Sequence, residues 1–279
     1  MTINETHFFS RNFDNSDKIL LIGSSHVGML DSQKIQKIVN QDSLKEFEVF
    51  NLAKGSDTPP KRLKQFSQIL SLEPVLVVYG IGYRDFTSMT PINNEHPLPD
   101  PNTLISNSLN FEVDFLSNPK LTTMNVIRNI VGVTPIQETS VTSTPFFPYS
   151  ERHSNIMPLT DIDIFYNNYN EITKIPKPEK NPKLESLILL LDQFENNGIH
   201  VILFITPHNS EFLETVDDLD KKNFENIIEF LEKKYDKQIP SLLTNYTKLD
   251  MWSSPNHISH GEKGLIFNQD IAKMILEET

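Results

Sequence analysis

A chain of 279 residues is long enough for one large domain, or for one domain carrying a sizeable insertion. Its 38% hydrophobic and 22% charged residues exclude wholesale disorder, and the absence of cysteine excludes disulfides, thiolate catalysis and Cys-ligated metals. A formal net charge of −12, with Lys and Arg scattered along the chain, argues against a nucleic-acid partner, which needs a basic face.

In chain order, Met1–Ser10 lacks the basic start and apolar centre of a signal peptide, and no apolar run approaches the roughly 20 residues that span a bilayer. The expectation is a soluble chain, cytoplasmic by the absence of a signal unless an anchor has been removed; its oligomeric state is left open. Lys18–Ile22 reads as a buried strand, 27–40 as a helix with Val27, Leu30, Ile35 and Ile38 on one face, and 47–52 as a second strand. Residues 60–72 read as a helix with Pro60 in its first turn, where a missing N–H does no harm. Pro74–Tyr79 is apolar and rich in β-branched residues, as a central parallel strand covered on both faces must be.

This alternation stops near residue 87. The stretch 88–181 is rich in Pro and Asn and is expected to be an insertion in a single 1–279 domain, folding over the sheet as a cap, with a short helix at 120–131. The rhythm resumes with an amphipathic helix at 182–197, ended by Asn196-Asn197-Gly198, and a strand at His200–Ile205. A helix at 217–236, an irregular segment at 239–260 and a terminal helix at 261–277 follow. Sequential β-α-β-α-β with short connections implies right-handed crossovers, and so a three-layer α/β fold with a flavodoxin-like parallel sheet of about five strands.

Strand ends in such a sheet point the same way, so separate segments converge on one rim. They are Gly23-Ser24-Ser25-His26, Lys54-Gly55-Ser56-Asp57, Gly80 to Asp85 and Thr206-Pro207-His208-Asn209, with Ser253 to His257 reaching the same place. Serine needs a base to be a nucleophile at neutral pH, imidazole is the usual one, and backbone N–H groups near glycine can hold an oxyanion. Each residue also has a plainer reading. Ser24 and Ser25 can simply cap the next helix, His26 can lie at the surface or behind the site, His208 can be a turn residue and His257 a solvent-facing loop residue, and Arg84 and Asp85 can pair with each other or with neighbours. No metal or other cofactor is expected, since His257 and His260 are the only closely spaced histidines and no carboxylate supports them.

Taken in order, these blocks resemble the SGNH, or GDSL-like, hydrolase family over about 18–87 and 182–277. Gly23-Ser24-Ser25 matches the first block in a Gly-Ser-Ser version related to D-alanine-transfer and alginate-acetylation proteins, Gly55 the second, and His257, ahead of Gly261 and Gly264, the last. The resemblance implies Ser25 as nucleophile and His257 as base. It implies an oxyanion contact from Gly55 and an acyl ester substrate, such as an O-acyl group on a carbohydrate or envelope polymer; a Gly82 backbone N–H or the Arg84 guanidinium is the candidate substitute for a missing amide donor, and His208, at its strand end, is a candidate for lining the site. Two positions depart from the family pattern. Gly82 or Arg84 stands where the oxyanion asparagine belongs, and Ser254 stands where the triad aspartate belongs, leaving Asp250 as the nearest carboxylate in sequence. The implied activity is ester hydrolysis or O-acyl transfer; the alternative is a binding protein that keeps the scaffold without the chemistry.

Overall fold

Apolar runs that can lose water on both faces become the two central strands of a parallel sheet: β1 (Asp17–Gly23), with Ile19 to Ile22 wholly buried, and β3 (Pro74–Ile81). They belong to a computed structural model that describes residues 8, 9, 13, 16–88, 145, 155–167 and 174–279. All of these fall within one compact unit, residues 1–89 with 141–279. β2 (Phe47–Asn51) flanks β1 and β4 (His200–Ile205) flanks β3, giving the order β2-β1-β3-β4 with every pairing parallel.

The sheet therefore has four strands among the described residues, not about five. The place of the fifth is taken by one parallel bridge between Ile205 and Ser241. There Ile205 N–H donates to the Pro240 carbonyl and Leu242 N–H to the Ile205 carbonyl. Pro240 has no N–H with which to extend a ladder, so pairing ends after one rung.

The helices are shorter than the sequence pattern suggests. The expected 27–40 helix divides into α1 (Ser25–Gly28) and α2 (Ser32–Asp42), because Asp31 starts a fresh helix by accepting from the Gln33 and Lys34 N–H groups. The expected 60–72 helix divides into α3 (Pro59–Leu63) and α4 (Phe66–Leu70). Beyond α5 (Tyr83–Phe86), Ser88 pairs with Lys174 at the base of the expected insertion, most of which, with the expected 120–131 helix, lies outside the described residues. Its described part includes α6 (Leu159–Asn167), whose Ile162 is buried.

Asn181 caps α7 (Pro182–Asn196) by accepting from the Lys183 and Leu184 N–H groups, while its amide donates to the Phe86 carbonyl. Then come α8 (Ser210–Thr215), α9 (Asp218–Tyr235), a hairpin of β5 (Trp252–Ser254) and β6 (His257–Ile258), and α10 (Leu265–Leu276). The region expected to be irregular, 239–260, thus holds an ordered antiparallel pair.

Right-handed crossovers send the chain from β1 outward to β2 over one face and from β2 back to β3 over the other. This puts α2 and α10 on one side, and α3, α4 and α7 on the opposite side, where Phe66 meets Phe194 with ring centroids 5.2 Å apart. The chain leaves β1 in one direction and β3 in the other, so a crevice opens between their carboxyl ends, where ligands bind in open α/β sheets. No helix among the described residues is long and apolar enough to cross a membrane.

Candidate active site

Two glycines seat the first candidate side chain at this crevice. Gly23 and Gly80 are register partners at the ends of β1 and β3, and Val27 of α1 lies across both. A Cβ on Gly23 would stand 2.6 Å from Val27 Cγ2 and 2.7 Å from the Gly80 carbonyl, and the φ of +151° at Gly23 suits only glycine. A Cβ on Gly80 would also collide with Val27. Without those side chains α1 can drop onto the sheet end, where the buried Asn51 side chain holds it by donating to the Val27 and Leu30 carbonyls at 2.8 and 2.9 Å. Ser25 begins this helix, half-buried at the crevice, and its N–H is among those that a first turn leaves without an intrahelical partner.

The β5–β6 hairpin delivers the second side chain. His257 Nε2 lies 2.8 Å from Ser25 Oγ across 232 residues of sequence, and His257 Nδ1 lies 2.8 Å from Ser254 Oγ. The three groups form a continuous chain, Ser25–His257–Ser254. Asp250 is exposed, and the hydroxyl of Ser254 occupies the position beside Nδ1. Ser254 Oγ also accepts from the Asn256 N–H at 3.4 Å. The hairpin is anchored by Ser253, which donates to the His257 carbonyl, and by Asn209 at the end of β4, whose amide donates to the Pro255 carbonyl.

Two further imidazoles crowd the pair. His26 lies with its centroid 5.6 Å from His257 and 4.7 Å from His208, the latter contact edge-on. His208 stacks on Phe212 at 4.4 Å. Burial pushes the His208 pKa down to about 3, with the Arg84 and His257 charges adding to the shift. Burial likewise holds His26 well below the ordinary imidazole range, helped by His208, His257 and Arg84 and opposed by the Asn256 backbone. Both rings are therefore neutral at pH 7. The sequence points to His208, whereas His26 reads as lying at the surface or behind the site; its position directly after Ser25 is the one local signal for its place here.

The remaining candidates are spread around the rim. Gly82 lies at the end of β3, but its N–H already donates to the Asp85 carboxylate at 2.7 Å. Burial pushes the Asp85 pKa up to about 7; the Gly82 hydrogen bond opposes this, Asp57 adds to it and Lys183 opposes it. Arg84 is half-buried in α5, and its carbonyl accepts from Lys183 Nζ at 3.2 Å. Gly55 sits in an exposed turn after β2, with open space where a Cβ would be. That turn is tied to the end of β1 by the Lys54 N–H, which donates to the Gly23 carbonyl at 3.1 Å. No group of three or more His, Asp or Glu suited to a metal ion occurs among the described residues.

No protein-family model and no curated protein matches the sequence. Among solved structures, the chain is similar to the lipase/acylhydrolase from Enterococcus faecalis, at 12% identity and a TM-score of 0.47, over 94% of each chain. It is also similar to a protein described as a lipolytic member of the G-D-S-L family from Desulfitobacterium hafniense DCB-2, at 12% identity and a TM-score of 0.44, over 92% of this chain and 98% of that one. A third similarity, to a gut microbial diltiazem-metabolizing enzyme, has 12% identity and a TM-score of 0.41, over 96% of this chain and 48% of that one. At such identities and scores these likenesses carry nothing about chemistry, which rests on the side chains of this chain.

Proposed function

We propose that this protein is a serine-dependent ester hydrolase or O-acyltransferase of SGNH type, with Ser25 as nucleophile and His257 as general base. The observation that carries the reading is the unbroken Ser25–His257–Ser254 chain, with both contacts at 2.8 Å, at the crevice where the sheet changes direction. A serine that merely capped a helix would have no need of an imidazole brought to it from the far end of the chain.

In the first step Ser25 Oγ adds to the acyl carbonyl carbon while its proton passes to His257 Nε2. The carbonyl π pair becomes an oxyanion, for which we take the backbone N–H groups of Ser25 and Gly55 as donors. Collapse of the tetrahedral species breaks the ester C–O bond, and the leaving oxygen takes the proton from His257. Water, or an acceptor hydroxyl, then repeats the sequence on the acyl-enzyme and restores Ser25. For His257 to accept at Nε2 its other nitrogen must carry hydrogen, and Ser254 Oγ, 2.8 Å away, can accept that N–H. An O-acylated carbohydrate or envelope polymer is the substrate class we infer from the family resemblance.

Incubation with a fluorophosphonate probe tests the reading, with turnover of short p-nitrophenyl esters as a second readout. Labelling of the wild type and none of Ser25→Ala is the expected result. If the wild type neither labels nor turns over esters, the scaffold is a binding protein and the proposal fails.

A further inference from the structure

An imidazole that works as a base must be held in direction as well as in reach, and a triad carboxylate serves both needs. His257 has instead the neutral hydroxyl of Ser254 at Nδ1. Both residues sit at the tip of a hairpin with two rungs, Trp252 with Ile258 and Ser254 with His257, and a register shift between them. A two-stranded pair of this size is at best marginally stable alone, so where its tip points depends on what the tip touches.

Asn209 touches it from outside the hairpin. The residue follows β4, is wholly buried, and divides its side-chain amide between two elements. Oδ1 accepts from the Phe212 N–H at 2.8 Å and so caps α8, while Nδ2 donates to the Pro255 carbonyl, between Ser254 and His257. Together the contacts fix the amide's orientation, since turning it over would set N–H against N–H and oxygen against oxygen. The loop that carries Asn209 is itself held: the His208 N–H donates to the Leu243 carbonyl at 3.1 Å and the Ser210 N–H to the Thr247 carbonyl at 3.4 Å. Capping a helix needs only an oxygen, which Ser, Thr or Asp supplies as well as Asn does. The amide N–H is surplus to the cap, and the hairpin takes it up.

We propose that Asn209 is a positioning residue for the general base, fixing the Pro255 carbonyl so that the hairpin tip directs His257 Nε2 at Ser25. This rests on the hydrolase reading above. The Asn256 N–H donates to Ser254 Oγ at 3.4 Å, so a shift of the Pro255 peptide moves the hydroxyl at Nδ1 together with the ring. Misplacing a reacting group by about 1 Å can cost about 100-fold in rate. No bond or proton changes at Asn209, and its effect falls on kcat with substrate binding untouched. An ionised partner at Nδ1 would hold the ring through a bond roughly twice as strong, and the tie from Asn209 would then matter less.

Two substitutions separate the tie from the cap. Asn209→Ser keeps an oxygen for the Phe212 N–H but cannot donate to Pro255 from so short a side chain, whereas Asn209→Ala loses both contacts. Rates of Ser25 labelling by a fluorophosphonate, and kcat and KM for a short p-nitrophenyl ester, are measured with thermal melting beside them, in the native background and in Ser254→Asp. Asn209→Ser is expected to melt close to wild type, to lower kcat and the labelling rate by roughly 10- to 100-fold, and to leave KM little changed. In the Ser254→Asp background the same substitution is expected to cost about threefold less or better, since residues acting on one ring are not additive. Wild-type rates in Asn209→Ser overturn the assignment and leave Asn209 as a cap. The same fold-loss in both backgrounds, or an Asn209→Ser chain that does not fold, overturns it too, because the residue then serves stability and not His257. Absence of Ser25 labelling in the wild type is a different outcome: it overturns the hydrolase reading and this assignment with it.

Discussion

Replacing Ser254 with Asp should make the site faster, and by an amount that can be bounded. On the proposed mechanism His257 becomes an imidazolium as Ser25 attacks, and the neutral hydroxyl of Ser254 lies 2.8 Å from its Nδ1. A neutral hydrogen bond contributes about 0.5–1.5 kcal/mol and one to an ionised group about 1.5–3 kcal/mol, so a carboxylate adds roughly 1–1.5 kcal/mol to the charged form. That corresponds to about a tenfold rise in kcat/KM. Full Coulomb attraction at 4 Å and an effective dielectric of 20 would be about 4 kcal/mol, but the half-buried hairpin must desolvate the new charge and shift to admit a longer side chain.

The same substitution has a signature in pH. An adjacent carboxylate favours a protonated imidazole, and a general base works only when neutral, so the acid limb of kcat/KM should move toward higher pH in Ser254→Asp. Steady-state ester hydrolysis from pH 5 to 9 for wild type, Ser254→Asp and Ser254→Ala measures both effects, with Ser254→Ala expected to be slower than wild type. If Ser254→Asp leaves rate and acid limb unchanged and Ser254→Ala matches wild type, Ser254 does not orient His257 and the reasoning is refuted.

Other outcomes follow from the buried groups. Folding holds Asp85 protonated up to about 7, so its contribution to stability is present below the ordinary carboxylate pKa and is lost as pH rises through 7. Asp85→Asn, which keeps an acceptor for the Gly82 N–H, should therefore be more stable than wild type at pH 8 in urea titrations; equal or lower stability would refute the sign. His208 runs the other way: its stability contribution is present above 6.5 and lost as pH falls toward about 3, so His208→Phe should flatten the acid-side decline by one proton in the same titrations. Gly80→Ala must displace Val27 and stand 2.8 Å from Phe204 Cζ, so it should cost about 3 kcal/mol and slow Ser25 labelling, with Val27→Ala restoring part of both; a wild-type melting temperature would contradict the packing account.

Local pattern carried the strands furthest. Ile19 to Ile22 and Leu76 to Tyr79 are continuous apolar runs, and only a strand covered on both faces buries such a run whole. The rim segments were legible for the same reason, since the carboxyl ends of parallel strands share an edge. What periodicity cannot contain is the interruption of an element. Asp31 restarts a helix because its carboxylate turns to two N–H groups, and Pro240 halts a fifth strand after one bridge. Ring orientation is still less local. Whether His26 faces solvent or packs 4.7 Å from His208 depends on how β4 and its following loop approach α1, which no neighbouring residue encodes. The Asp85 carboxylate that occupies Gly82 is equally hidden, because Gly82-Tyr83-Arg84-Asp85 reads as a plain turn until Asp85 is known to be buried.

The electrostatics of the three imidazoles explain how a hydroxyl can stand where a carboxylate would be expected. A positive charge on His26, 5.6 Å from His257, would oppose formation of the imidazolium by about 3 kcal/mol at an effective dielectric of 20. That is comparable to, or larger than, what an ionised partner at Nδ1 adds. Burial prevents that penalty by holding His26 and His208 neutral, which removes a repulsion without supplying an attraction. A carboxylate at position 254 would act on His26 as well, raising its pKa toward the range in which it competes with His257 for a proton. The tenfold gain from Ser254→Asp should therefore grow when His26 is replaced by Phe, which cannot take the proton. A gain identical in both backgrounds would show that the two rings do not share one electrostatic environment.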